Sequence, residues 1–408
     1  MTKRKLVANK DVQIEQDPPE EIVQPDEQDL GAELDLEPGP DLVNGNEPTG
    51  PARAQACHEM LLRMAGRAPD GLMTQARDWL AHGQFDLLVR AVAYWVVSQD
   101  VMLAEPDADL LSDMLIEAGA DTSGISQVAD DDYDPYPFYG FGSHIPRGLA
   151  GDTGETPDPL AEAEAPQEKA AVEAVAAEPD AIGLWRAWRF PTDKAPWPAP
   201  RRVFVVEVAD GGQPGVAARM AERLAAAGET DPQVEVYRSG FQPPIYTELA
   251  RSYGELRWAA APASSIQLAS IFDEVDADTG PRFLPDHPVL DADEAVKVME
   301  YLYGCEPLLE TLGLMDDVMD DSQPYCVPMS FRTDGQWVWN EASAYYANEH
   351  LLAPDPRLLE HVRSSDYLAP AVDGVSLFRA LKSLQDSKAD EVSWMFGAQF
   401  EESMEQEF

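Results

Sequence analysis

Residues 11 to 50 carry thirteen acidic side chains, no basic one and no aromatic one. Such a stretch cannot bury enough apolar surface to offset the entropy of ordering it, and its charges repel one another. The imbalance returns twice more: residues 150 to 180 hold nine acids against Lys169 alone, and residues 386 to 408 hold seven against one base. These runs confine folding to what lies between them. The expected layout is a disordered acidic arm (1–50), an acidic Pro/Ala-rich linker (123–182) and an acidic tail (386–408) around three folded parts, 51–122, 183–284 and 285–385.

The 408 residues leave room for two or three domains, and 44% hydrophobic residues suffice for real cores. A net charge of −46 repels phosphates and anionic lipid, so the expectation is no nucleic acid, no membrane surface and a basic protein partner. No run of 18 apolar residues occurs, and the basic first residues lead into no apolar segment of secretory type. Cys57, Cys305 and Cys326 are too few and too scattered for a disulfide framework, which points to a reducing cytoplasm.

Apolar residues recur at helical spacing through Ala54, Cys57, Leu61 and Met64, through Leu72, Ala76 and Leu80, and through Leu110, Leu111, Met114 and Leu115. Between them residues 85–98 are apolar nearly all round, which suits a helix buried among the others. This predicts an N-terminal helical bundle. Strand-like runs at 202–208, 233–238 and 255–260 alternate with helical ones at 214–227 and 243–253, which predicts a mixed α/β sheet with some parallel pairing. Further on, Asp291 and Glu294 form a capping-box pair, a helix is expected over 307–319, and Asp355-Pro356 starts another. Asp334-Gly335 between aromatic runs is a strong hairpin signal, because its turn needs positive φ. Asn340 then caps a short helix. The fold class is α+β or α/β and multidomain, ending in a module of hairpin plus helices.

The run from Met329 to Trp339, then Ala344-Tyr345-Tyr346 and the stretch from Leu352 to Leu359, resembles a family of high-GC actinobacterial proteins of Streptomyces type. Residues 195–204 and 231–236 are similar to the same family, so the likeness spans 185–363. The resemblance implies an actinobacterial origin and carries over no activity, cofactor or site residue.

Each motif that could carry chemistry has a plainer reading beside it. Asp210-Gly211-Gly212-Gln213-Pro214-Gly215 sits where a dinucleotide fold places its glycine-rich turn, but Asp210 stands at the first glycine position and repels a pyrophosphate. Asp273, Asp276 and Asp278 before Gly280 lack the final Glu of a calcium loop. The acids Asp316, Asp317, Asp320 and Asp321 read as a solvated end. The six histidines show no zinc spacing. Cys326 with His350 as base is a nucleophile candidate, against which a lone Cys in an apolar strand reads as core. No cofactor and no metal are expected. Arg332, Asp334, Trp337 and Tyr346 have the composition of a binding hot spot and are the expected partner contacts, although Trp and Tyr also build cores. The expected function is a non-enzymatic acidic protein-interaction factor, of immunity or antitoxin type, that engages a basic protein. The alternative is an enzyme with its site in the C-terminal module or at its junction with the sheet.

Overall fold

Strand β5 (Arg201–Val208) places Val203 and Val205 on one face of a sheet and Phe204, Val206 and Val208 on the other, all of them buried. A strand covered on both sides reads as a continuous apolar run. The computed structural model describes residues 50–128, 139–146, 165–192, 199–276 and 278–386. The expected arm and tail lie outside the described residues except for Gly50 and Asp386, as do 129–138 and 147–164 of the expected linker. Among the described residues the chain is α+β, with eleven helices and several sheets.

β5 runs antiparallel to β4 (Ala181–Pro191) and parallel to β6 (Gln233–Arg238), which it reaches through α6 (Gln213–Ala226). The far edge of β4 is shared by β3 (Tyr139–Gly142) and by β7 (Glu255–Ala259), the latter entered from α7 (Ile245–Tyr253). On one face Leu184, Phe204, Val206 and Val236 pack with Val175 of α5 (Pro166–Ala176) and with Met220 and Leu224 of α6. On the opposite face Trp185, Ala187, Val203 and Val205 belong to the same core as four N-terminal helices: α1 (Gly50–Met64), α2 (Asp70–Ala81), α3 (Phe85–Ser98) and α4 (Glu105–Glu117). These helices therefore share their interior with the sheet. A short parallel pair, β1 (Leu103–Ala104) and β2 (Gln127–Val128), lies beside α4.

Helices α1 and α2 also bond to the edge of β6 that β5 leaves free, where unpaired backbone groups need partners. His58 Nε2 lies 2.6 Å from the Val236 carbonyl, Thr74 Oγ1 donates to the Pro232 carbonyl, and Gln233 Nε2 donates to the Asp70 carbonyl. Arg77 Nη2 donates to both carboxylate oxygens of Glu235 at 2.7 and 2.5 Å, and both residues are buried.

The second sheet has the order β11 (Glu306–Leu309), β14 (Phe331–Thr333), β15 (Trp337–Asn340), β8 (Gln267–Leu268). Trp337 and Trp339 face α8 (Ala292–Gly304), α9 (Ala342–Glu349) and α10 (Pro356–Ser364), meeting Tyr301, Leu302, Ala347 and Val362. From the reverse face Phe331 and Val338 meet Ala380 and Leu384 of α11 (Gly374–Gln385). The same helix sends Val375 into the core of the first sheet and sets Phe378 edge-on to Trp185, 6.3 Å between centroids. It ties the two sheets together.

Four expectations change. α3 is not enclosed, since Leu87, Tyr94 and Val97 are about half exposed or more. The end of the expected linker is α5 and the start of β4: the Ala-rich run has high helix propensity, and its Glu168 is buried against Arg186, Arg202 and Arg257 of the sheet. Where a helix was expected over 307–319 the chain forms β11, whose Pro307 is tolerated because β11 is an edge strand. Finally, the hairpin turn spans four residues, with Thr333 paired to Val338. Only Gly335 in it takes positive φ (+85°), and Asp334 Oδ1 accepts from the Gln336 and Trp337 amides.

Two stability measurements follow from the covered edge. Arg77→Met strands the Glu235 carboxylate, and urea unfolding is expected to show a loss of about 3–5 kcal/mol, much of it recovered in Arg77→Met/Glu235→Leu. An equal loss in both variants would assign the cost to packing. Burial lowers the His58 pKa to about 4, so the ring stays neutral and donates through Nε2. The unfolded chain takes up this proton below about pH 6.5, so the contribution is whole above that pH and is lost as pH falls toward 4. Between pH 7 and 4.5 the variant His58→Gln is expected to lose about 2–3 kcal/mol less than the wild type.

Candidate functional site

Three of the four expected partner contacts are interior. Trp337 is 8% exposed and Tyr346 2%, and the Tyr346 hydroxyl accepts from the Val318 amide. Asp334 is the most heavily bonded. Besides its two turn amides it accepts from the Tyr301 hydroxyl at 2.7 Å, and its Oδ2 lies 2.6 Å from His361 Nε2. These bonds fix α8 and α10 to the turn. The carboxylate and burial together push the Tyr301 phenol up, out of reach of ordinary pH. Arg332, half-buried, bonds to Glu341 at 2.5 Å and to the Cys305 carbonyl at 2.8 Å, with its guanidinium over the Tyr303 ring. The structure brings Arg332, Asp334 and Trp337 into one hairpin but sets Tyr346 in a separate cluster with Phe272 and Val327.

Cys326 and His350 come into one network without touching. Cys326 Sγ lies 3.2 Å from the Tyr345 hydroxyl, that hydroxyl donates to Asp317 Oδ2 at 3.1 Å, and His350 Nε2 is 2.6 Å from the same oxygen. Tyr345 and Asp317 thus stand between thiol and imidazole, and the direct nucleophile–base bond is not made. The aspartates of the calcium-like loop are used locally: Asp276 accepts from Asp278 and Thr279 in the turn between β9 (Glu274–Asp276) and β10 (Gly280–Arg282), and Asp273 pairs with His287. Asp210 accepts from its own Gly211 amide. Among the described residues no three His, Cys, Asp or Glu side chains converge on a point that could hold a metal ion, and no helix is long and apolar enough to cross a membrane.

What the hairpin residues lack in exposure is supplied by the segment before them. β12 (Leu314–Met315) pairs antiparallel with β13 (Val327–Pro328), and the tip between them closes on itself: Asp317 N donates to the Gln323 carbonyl and Tyr325 N to Asp316 Oδ1. On this tongue Leu314, Met319 and Tyr325 are 50, 49 and 73% exposed, and Leu312 just before it is fully exposed. Tyr325 holds φ at +51°, a left-handed conformation that is costly for an aromatic residue and keeps its ring in solvent. Between Lys297 and Arg332 there are seven acidic residues and no basic one. That charge gap is visible in the sequence and marks the segment; the exposure of its apolar residues is not visible there.

Compared with known proteins, the chain matches no family model, no curated protein and no solved structure.

The bonding of Asp334 separates two roles within the hairpin. Asp334→Ala leaves two amides, a phenol and an imidazole without their acceptor, and is expected to cost about 3 kcal/mol or more in chemical denaturation. Arg332→Ala, which removes two hydrogen bonds at a partly buried pair, is expected to cost less, about 1–3 kcal/mol. The reverse order would mean that the turn holds without its carboxylate.

Proposed function

We propose that the protein is a non-enzymatic acidic interaction factor, of immunity or antitoxin type, and that the tongue from Leu312 to Tyr325 is its contact with a basic protein. The observation that carries this reading is apolar side chains held in solvent within a stretch that has seven acids and no base. Exposed aromatic and aliphatic residues exclude water and set how long a complex lasts, while surrounding charge of one sign speeds encounter with the opposite sign. A positively charged surface with an apolar centre complements both. Of the four contacts expected from the sequence, Arg332 has the most exposed side chain, about 20%. The alternative, an enzyme acting at the junction with the sheet, draws support from a cleft there.

Affinity capture with the full chain at physiological salt, read by mass spectrometry, is expected to retain a basic protein that Leu312→Ser/Tyr325→Ser releases. Both substituted positions are exposed, so the variant keeps its core. For the purified pair, dissociation is expected to quicken at least tenfold in that variant, and raising the salt is expected to slow association. Equal retention by both proteins would refute the tongue as the contact.

A further inference from the structure

Glu207 and Tyr237 end the parallel strands β5 and β6, and both are 1% exposed. Ligands of α/β sheets bind beyond the carboxyl ends of such strands. Here that position opens into a cleft of about 510 Å³, walled on the far side by β11 and α11 of the second sheet. The volume lies in the range of small-molecule sites. We propose that this cleft binds a free amino acid with a large apolar side chain, carboxylate on Arg251 and ammonium between Glu248 and Glu306.

The polar floor is closed. Glu207 Oε2 accepts from the Gly374 amide at 2.8 Å and from the Tyr237 hydroxyl at 3.2 Å, and Tyr237 in turn accepts from Arg251 Nη1 at 2.9 Å. Gly374 is required there, because a Cβ would stand 2.5 Å from both Glu207 Oε2 and the Tyr237 oxygen. Burial pushes the Glu207 carboxyl up. What the floor leaves over is directional. Arg251 is oriented through Nη1, and its Nε and Nη2 make no hydrogen bond among the described residues. The carboxylates of Glu248 and Glu306, which line the same cleft, make no hydrogen bond among the described residues, and Glu248 acts on Arg251 through its charge. Leu308, Leu377 and Phe378 supply apolar wall.

Charge then selects the ligand class. A phosphate or dicarboxylate meets the Glu248 and Glu306 carboxylates and a chain of net charge −46, whereas a simple amine meets Arg251. An amino-acid zwitterion satisfies both signs at once, and desolvating its side chain against the wall adds apolar burial.

Isothermal titration of the full chain with L-phenylalanine is expected to show one site. Phenylalaninamide lacks the carboxylate and 3-phenylpropionate lacks the ammonium, and each is expected to bind at least tenfold more weakly. Leu377→Trp, which fills the cleft from its wall, is expected to abolish the titration while leaving the thermal midpoint within a few degrees. Glu248→Gln is expected to weaken L-phenylalanine at least fivefold while 3-phenylpropionate, relieved of one repelling carboxylate, binds no more weakly than before. No heat with L-phenylalanine at millimolar concentration, or binding that survives Leu377→Trp, would overturn the site. Equal binding of 3-phenylpropionate would overturn the zwitterion.

Discussion

Glu235 has no water to turn to, and the fold depends on how it is answered. A carboxylate on a strand shut between layers is tolerable only if a cation is buried with it, and Arg77 arrives from α2 to do this. The same solution recurs along the sheet: Glu168 of α5 faces Arg186, Arg202 and Arg257, and Arg189 of β4 holds Asp70 of α2. Each bridge joins a helix to a strand, and that of Arg77 with Glu235 does so across 158 positions. With 29 basic residues against 75 acidic ones, cations placed inside are cations withheld from the surface. The bare negative surface of the tongue and the buried bridges of the sheet are two sides of one allocation.

That allocation explains what was legible in the sequence. β5, β6 and the helices at their flanks were readable because their apolar residues repeat at the right period, and α8 and α10 because Asp291 and Asp355 announce their starts by capping amides. β4 and α5 were not. In a run such as Trp185-Arg186-Ala187-Trp188-Arg189 the arginines look like solvent residues, and Glu168 looks like part of a solvated tether. Their burial is decided by partners dozens of residues away, which no local period records. β11 failed for a different reason: Pro307-Leu308-Leu309 opens a helix as well as it lines a sheet edge, and pairing with β14 decides.

The hairpin aromatics show the limit on reading a site. Trp, Tyr and Arg in one run are the composition both of hot spots and of small cores, and composition does not distinguish inside from outside. Asp334 looked like a turn residue at an accessible tip and is instead the acceptor on which α8, α10 and the turn converge. The cleft was less legible still, since it is assembled from the ends of β5 and β6, one face of α7 and a helix that begins at residue 374.

Helix α11 has a consequence for synthesis. Its first residue bonds to Glu207 across 167 positions, and Phe378 covers Trp185 from farther still. A nascent chain long enough to have laid down β4, β5 and β6 therefore leaves the edge of that indole which Phe378 meets without its cover until α11 clears the ribosome. At about 5–20 residues per second the delay is roughly seven to thirty seconds, long beside the microseconds to milliseconds in which helices and hairpins form. Ribosome-tethered intermediates of this chain should lack cover only where Val375 and Phe378 pack beside Trp185, because α1 to α4 on that side and α5 and α6 on the other are made earlier or alongside the sheet.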